Sequence, residues 1–119
     1  MKVLVINGPN LNMLGKREPH IYGNATLEDL ECFIRDTFEN KIDIEFFQSN
    51  HEGCIIDKLH ESNDIFDGVV INPGAFTHYS YAIYDAIKSI FNFWARALPT
   101  EVFPTPINPI NITLINYLP

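Results

Sequence analysis

The chain reads as an α/β domain built on a parallel sheet, and three features predict this. Short β-branched, apolar runs recur at Lys2–Asn7, at residues 42–48 and at Gly68–Asn72. Stripes of apolar residues at helical spacing alternate with them. Each of the outer two runs ends in an asparagine followed by a tight turn, as Asn7-Gly8-Pro9 and Asn72-Pro73-Gly74. Strands that alternate with helices imply parallel pairing through right-handed crossovers.

The elements follow in order. Lys2–Asn7 is continuously apolar in its centre, a pattern that suits a strand buried on both faces. Residues 10–25 carry Gly15, Pro19 and Gly23 among mixed charges and read as a long loop. Loops of that length are commonly functional. Thr26 with Asp29 three residues on predicts a capped helix, with Leu27, Leu30, Ile34 and Phe38 forming its apolar stripe. The second strand is expected at residues 42–48. Ser49-Asn50 is read as the cap of a second helix through about Ser62, with Ile55, Ile56 and Leu59 inward. Gly68–Asn72 is the third strand. Thr77 or His78 opens a third helix through about Ile90, with Ala82, Ile83, Ala86, Ile87 and Ile90 on its apolar side.

The character changes near Phe91. Residues 91–119 hold Pro99, Pro104, Pro106, Pro109 and Pro119, and their charged residues are Arg96 and Glu101. Residues 99–109 cannot form a helix, and their prolines confine any strand to a sheet edge. Residues 110–118 are read as one short strand. The chain therefore divides into a core, residues 1–90, and a divergent proline-rich tail, 91–119, of the same domain.

With 119 residues, one domain with a small core is expected. The formal net charge of −7 disfavours nucleic acid as a partner, because phosphate binding needs a basic surface. Cys32 and Cys54 fit no zinc spacing and are read as two buried, reduced thiols. The apolar start is too short for a signal peptide or a membrane span, so a cytoplasmic protein without membrane partners is expected. His20, His51, His60 and His78 lack metal-binding spacing, and no metal is expected. No Gly-x-Gly-x-x-Gly or Walker pattern follows the first strand.

Ligands in open α/β sheets sit beyond the carboxyl ends of the strands, where strand order reverses. The paired asparagine turns after the first and third strands mark that edge. In the long loop, Arg17 precedes Tyr22 by five residues. A phenol with a pKa of about 10 is a poor base at neutral pH, and a nearby cation favours the phenolate. Such a pair can serve as a general base for a C–H proton. His78, at the opening of the third helix, stands where free backbone N–H groups favour an anion.

At these residues the sequence closely resembles a known family. Val5-Ile6-Asn7-Gly8-Pro9-Asn10-Leu11-Asn12-Met13-Leu14-Gly15-Lys16-Arg17-Glu18-Pro19-His20-Ile21-Tyr22-Gly23 is similar to the signature of type II 3-dehydroquinate dehydratases. Phe47-Gln48-Ser49-Asn50-His51-Glu52-Gly53 is a second match. Ile71-Asn72-Pro73-Gly74-Ala75-Phe76-Thr77-His78, with Ser80 and Asp85, is a third. The resemblance implies a flavodoxin-like three-layer sandwich and a homododecamer built from trimers. It implies reversible dehydration of 3-dehydroquinate to 3-dehydroshikimate in the shikimate pathway, without cofactor. By the same resemblance Tyr22 is the base and Arg17, on a mobile lid, supports the phenolate. Asn10 helps hold a water at the enolate oxygen. Asn72 and His78 bind the substrate's hydroxyls or carboxylate, and Asp85 acts at the trimer contact.

The resemblance ends near residue 90. The family continues into a strand bearing a Glu-x-His pair whose histidine protonates the departing hydroxyl. Here Phe91-Asn92-Phe93-Trp94-Ala95-Arg96-Ala97 stands instead, and no histidine follows His78. The abrupt break fits an out-of-frame or truncated reading better than gradual divergence. Impaired catalysis is expected, with a ligand-binding pseudoenzyme as the alternative.

Overall fold

The computed structural model describes residues 1–90 and the backbone of 113–116; the side chain of Tyr22 is not described. The elements are β1 (Lys2–Asn7), α1 (Pro19–Tyr22), α2 (Leu27–Thr37), β2 (Asp43–Gln48), α3 (Glu52–Ser62), β3 (Gly68–Asn72), α4 (Tyr81–Ile90) and β4 (Thr113–Asn116). Short 3-10 helices occupy Leu11–Met13 and Gly74–His78.

The sheet order is β2-β1-β3-β4. The three predicted strands are parallel, with Leu4 opposite Glu45 and Val69, and Asn7 opposite Gln48 and Asn72. The chain therefore winds outward from β1 in both directions, which puts the switch point between β1 and β3. β4 runs antiparallel to β3 at the edge, from Thr113 beside Ile71 to Asn116 beside Gly68. The strand expected within residues 110–118 is thus present, and it makes the sheet mixed rather than wholly parallel.

Parallel register puts paired residues on one face. Leu4, Ile6, Val69 and Ile71 share a face, and all four are fully buried. Ile55 and Leu59 of α3, Phe66, and Ile83, Ala86 and Ile87 of α4 complete this core. On the opposite face Val3, Val5 and Val70 are only half-buried. There α2 lies against β2: the Arg35 guanidinium stacks 4.6 Å from the Phe46 ring centre and donates to the Ile44 carbonyl at 3.2 Å.

Several local expectations hold. Thr26 and Asp29 form the reciprocal capping box. Ile55 and Leu59 point inward, as do Ile83, Ala86 and Ile87. Others are corrected. Of the α2 stripe only Leu27 is buried; Leu30 and Phe38 are exposed, because little of the described structure lies beyond that side of the helix. Ala82 faces solvent. Cys32 and Cys54 are exposed, not buried, since each falls on the outer side of its helix. The Ser49 hydroxyl accepts the His51 N–H at 3.0 Å, and α3 starts at Glu52 without a side-chain cap. The third predicted helix begins later than Thr77 or His78. Gly74–His78 forms a 3-10 turn, and buried Ser80 caps α4 by accepting from the Ile83 N–H at 3.1 Å.

Candidate active site

The strand ends converge through backbone contact. The Gly8 N–H donates to the Asn72 carbonyl at 2.8 Å, carrying the β1–β3 pairing one residue past the strands. A Cβ at Gly8 would lie 2.5 Å from the Pro73 carbonyl oxygen, so only glycine permits this approach. Gly74 has φ +58°, and a Cβ there would lie 3.0 Å from the Pro9 carbonyl oxygen. Its N–H donates to the Asn72 side-chain oxygen at 3.1 Å, which commits that oxygen to shaping the turn. The amide nitrogen of Asn72 remains as a donor.

Asn10 follows in the left-handed region, φ 68° and ψ −4°. Asparagine tolerates that conformation better than most residues. The side chain of Asn10 is exposed at the edge.

Behind it the chain makes a long surface excursion. Gly15, at φ +80°, passes so near Asn24 that a Cβ would meet its carbonyl oxygen at 2.8 Å. The two ends of the excursion are thus pinched together, the form of a compact surface loop. Inside the pinch, Arg17 is exposed, and its N–H donates to the Met13 carbonyl at 3.0 Å. Glu18 adopts φ 44°, Pro19 starts the single turn of α1, and Tyr22 ends it. Gly23, at φ 82°, closes the turn by donating to the Pro19 carbonyl at 2.8 Å. Proline at the first position and glycine just past the last are the usual signals for a short helix.

Across the edge, His78 is the last residue of the 3-10 turn and is exposed. Phe76 packs edge-on against Tyr79, ring centres 5.6 Å apart. Ser80 accepts from Ile83 and donates to the Glu52 carboxylate at 2.7 Å, which ties the starts of α3 and α4 together. The N-terminus of α4 is therefore capped from within. His78 approaches the edge on its own turn rather than on the first turn of a helix. Asp85 lies on the exposed side of α4.

The structure thus brings Asn10, Asn72 and the 3-10 turn bearing His78 to one edge, with the loop that carries Arg17 and α1 rooted beside it. It sets Asp85 apart, on the α4 surface. Sequence reasoning read Ser49-Asn50 as a helix cap and as part of the second family-like segment, and gave neither residue a role in the site. In the structure the Asn50 side chain holds the Asn10 backbone, with an N–H to oxygen distance of 3.0 Å. Among the described residues no group of three His, Cys, Asp or Glu side chains is placed to hold a metal ion. No described helix is long and apolar enough to cross a membrane.

A doubly wound α/β unit with a pinched surface loop beside its switch point is an architecture in which ligands sit at the carboxyl edge of the sheet. Comparison with known proteins makes this specific. Residues 1–94 match the family model for dehydroquinase class II, and the chain belongs to that family. The 3-dehydroquinate dehydratases of Bacillus cereus strain AH187 and Bacillus anthracis strain CDC 684 / NRRL 3495 are each 59% identical to it over 90 residues. The alignments cover 75% of this chain and 62% of those relatives, so the chain spans less than two thirds of their length. Among solved structures, the type II dehydroquinase of Butyrivibrio crossotus DSM 2876 superposes with a TM-score of 0.72 at 59% identity. That superposition covers 76% of this chain and 63% of the other. A 3-dehydroquinate dehydratase-like protein from Bifidobacterium longum gives 0.58 at 30% identity, covering 93% and 80%.

Proposed function

We propose that this chain binds 3-dehydroquinate at the β1–β3 edge and carries the base half of its reversible dehydration to 3-dehydroshikimate. The observation that carries the reading is the shared edge. Asn10, Asn72 and the His78 turn stand together, with the Arg17–Tyr22 lid rooted next to them, inside the segment that matches the family.

In this reading the Tyr22 phenolate removes a proton from C2, alpha to the C3 ketone. Arg17 keeps the phenol ionised and balances the negative charge that forms. The electron pair left on C2 delocalises onto the ketone oxygen as an enolate. A water held by Asn10 stabilises that oxygen, in the manner of an oxyanion hole. The enolate then collapses, the C1–C2 double bond forms, and the C1 hydroxyl departs as water with a proton taken from solvent; the proton held by Tyr22 returns to solvent, which balances the step. Asn72 and His78 hold the substrate's hydroxyls or carboxylate. Closing the lid excludes water and brings Arg17 in, so lid motion gates turnover. Asp85 serves a neighbouring subunit across a trimer contact, within a dodecamer.

No residue after His78 is a histidine, so the chain as it stands has no counterpart to the family's acid. General acid help is typically worth roughly 10²–10⁴-fold, and we assign a turnover lower by about that factor. The same feature favours a second reading, a non-catalytic binder of the same ligand. Two measurements separate the cases. Calorimetric titration with 3-dehydroquinate reports binding, and ultraviolet absorbance reports the conjugated enone. Binding with slow turnover that Tyr22→Phe abolishes supports the impaired enzyme. Binding with no enone supports the binder, and absence of binding overturns both.

A further inference from the structure

We infer that Gln48 and Asn50 are positioning residues that hold Asn10 in its left-handed conformation through a donor–acceptor relay from the end of β2. This deepens the proposed function and rests on it where ligand affinity is concerned.

The relay is fixed by chemistry. The Asn10 backbone N–H can only donate, so the Asn50 atom that faces it at 3.0 Å is the side-chain oxygen. That same oxygen lies 3.1 Å from the Gln48 side chain, which also lies 3.2 Å from the Gly8 carbonyl. Both of these partners are acceptors. Gln48 must therefore present its NH₂ group, which has two protons to give. One carboxamide thus spans the start and the end of the Gly8–Asn10 turn, directly in one case and through Asn50 in the other. The Ser49 N–H donates to the Asn7 carbonyl at 3.0 Å and keeps the two exits in step.

The relay explains why a segment from β2 matters at an edge otherwise built from β1 and β3. Asn10 has a positive φ, a conformation that costs an L-residue energy unless something holds it. The local turn leaves the Asn10 N–H to an outside acceptor: the Leu11 N–H donates to the Gly8 carbonyl at a long 3.4 Å, and the Met13 N–H donates to the Asn10 carbonyl at 3.0 Å. Asn50 supplies the contact to that N–H. With Asn50 in place, the Asn10 side chain is delivered to the edge.

The polarity makes the test asymmetric. Asn50 acts only as an acceptor, so Asn50→Asp keeps the relay and Asn50→Ala removes it. Gln48 acts only as a donor, so Gln48→Glu sets a carboxylate against two acceptors and breaks it. The full-length chain, labelled with ¹⁵N, is followed by amide hydrogen exchange at Asn10, with Leu4 and Val69 as core references. We expect Asn10 exchange up to about tenfold faster in Asn50→Ala and Gln48→Glu, consistent with loss of one hydrogen bond. Asn50→Asp should stay near the unmodified chain, and core amides should be unchanged in all. The Kd for 3-dehydroquinate should weaken by a similar factor in Asn50→Ala and Gln48→Glu.

Unchanged Asn10 exchange in Asn50→Ala overturns the inference. So does equal behaviour of Asn50→Ala and Asn50→Asp, or uniform acceleration that includes Leu4 and Val69, which marks a merely structural role. Failure of the unmodified chain to bind 3-dehydroquinate sinks the proposed function, while the exchange comparison still decides the relay.

Discussion

The two faces of the sheet are held by different means. On one face α3 and α4 bury a continuous core, in which Leu4, Ile6, Ile55, Leu59, Val69 and Ile71 are fully inaccessible. On the other, α2 buries little beyond Leu27, and Phe33 is 68% exposed. That helix has 11 residues, a length marginal on its own. Its capping box and the Arg35 contacts to β2 secure it. One face is therefore stabilised by burial, and the other by end chemistry and a few polar contacts. The loop that carries Arg17 and α1 runs directly into α2, on the second face. That loop is thus attached to the less buried layer, and the β1–β3 edge is backed by the denser one.

This contrast can be broken from either side. The largest effect is expected from Leu59→Ala, which leaves a cavity in the dense face. It should cost about 2–5 kcal/mol in urea unfolding, and a loss under 1 kcal/mol would mean that the core is less committed than described. Next, Thr26→Ala removes the hydroxyl that accepts the Asp29 N–H at 3.1 Å. It should cost about 0.5–2 kcal/mol, and circular dichroism should place the lost helicity in α2.

A smaller effect concerns acid. The Thr26 backbone N–H donates to the Asp29 carboxylate at 2.9 Å and the Thr26 side chain adds to it, so the Asp29 pKa is lowered. A lowered folded pKa stabilises above the unfolded value, and the benefit is lost as pH falls through the folded one. Thermal melts of Asp29→Ala should thus lie below those of the unmodified chain near neutrality and converge with them in strong acid. A gap that persists there would assign the effect to helix propensity instead. Smallest of all, Phe33→Ser should change stability by no more than about 0.5 kcal/mol. A large loss would show that something covers the α2 surface in solution.

Much of this architecture was legible because it is local. The strands are short runs whose β-branched residues suit a pleated surface. The Thr26–Asp29 box spans four residues, and the turns after Asn7 and Asn72 are written in glycine and proline. The similarity of residues 1–90 to one family rested on the same contiguous segments, and the match over 1–94 bears it out. Less legible were features that depend on which side of a helix finds a partner. Cys32 and Cys54 looked like core thiols by type, yet both face out. The start of α4 was misplaced because Thr77 can cap a helix as readily as Ser80 can. Glu52, 28 residues away in sequence, partners Ser80. Of residues 110–118, read as one short strand, Thr113–Asn116 form β4, and the rest of the proline-rich tail lies outside the described residues.

Sequence by itself determined the order of elements, the α/β class and the family, because spacing, capping and turn chemistry act between near neighbours. Tertiary structure alone decided the rest. It aligned Asn7, Gln48 and Asn72 across three strands and set β4 antiparallel beside β3. Among the described residues it left one sheet face thinly covered, and it brought Asn50 to the Asn10 backbone across 40 residues. Those outcomes depend on register and on pairing between segments distant in the chain, and no local window of residues encodes either.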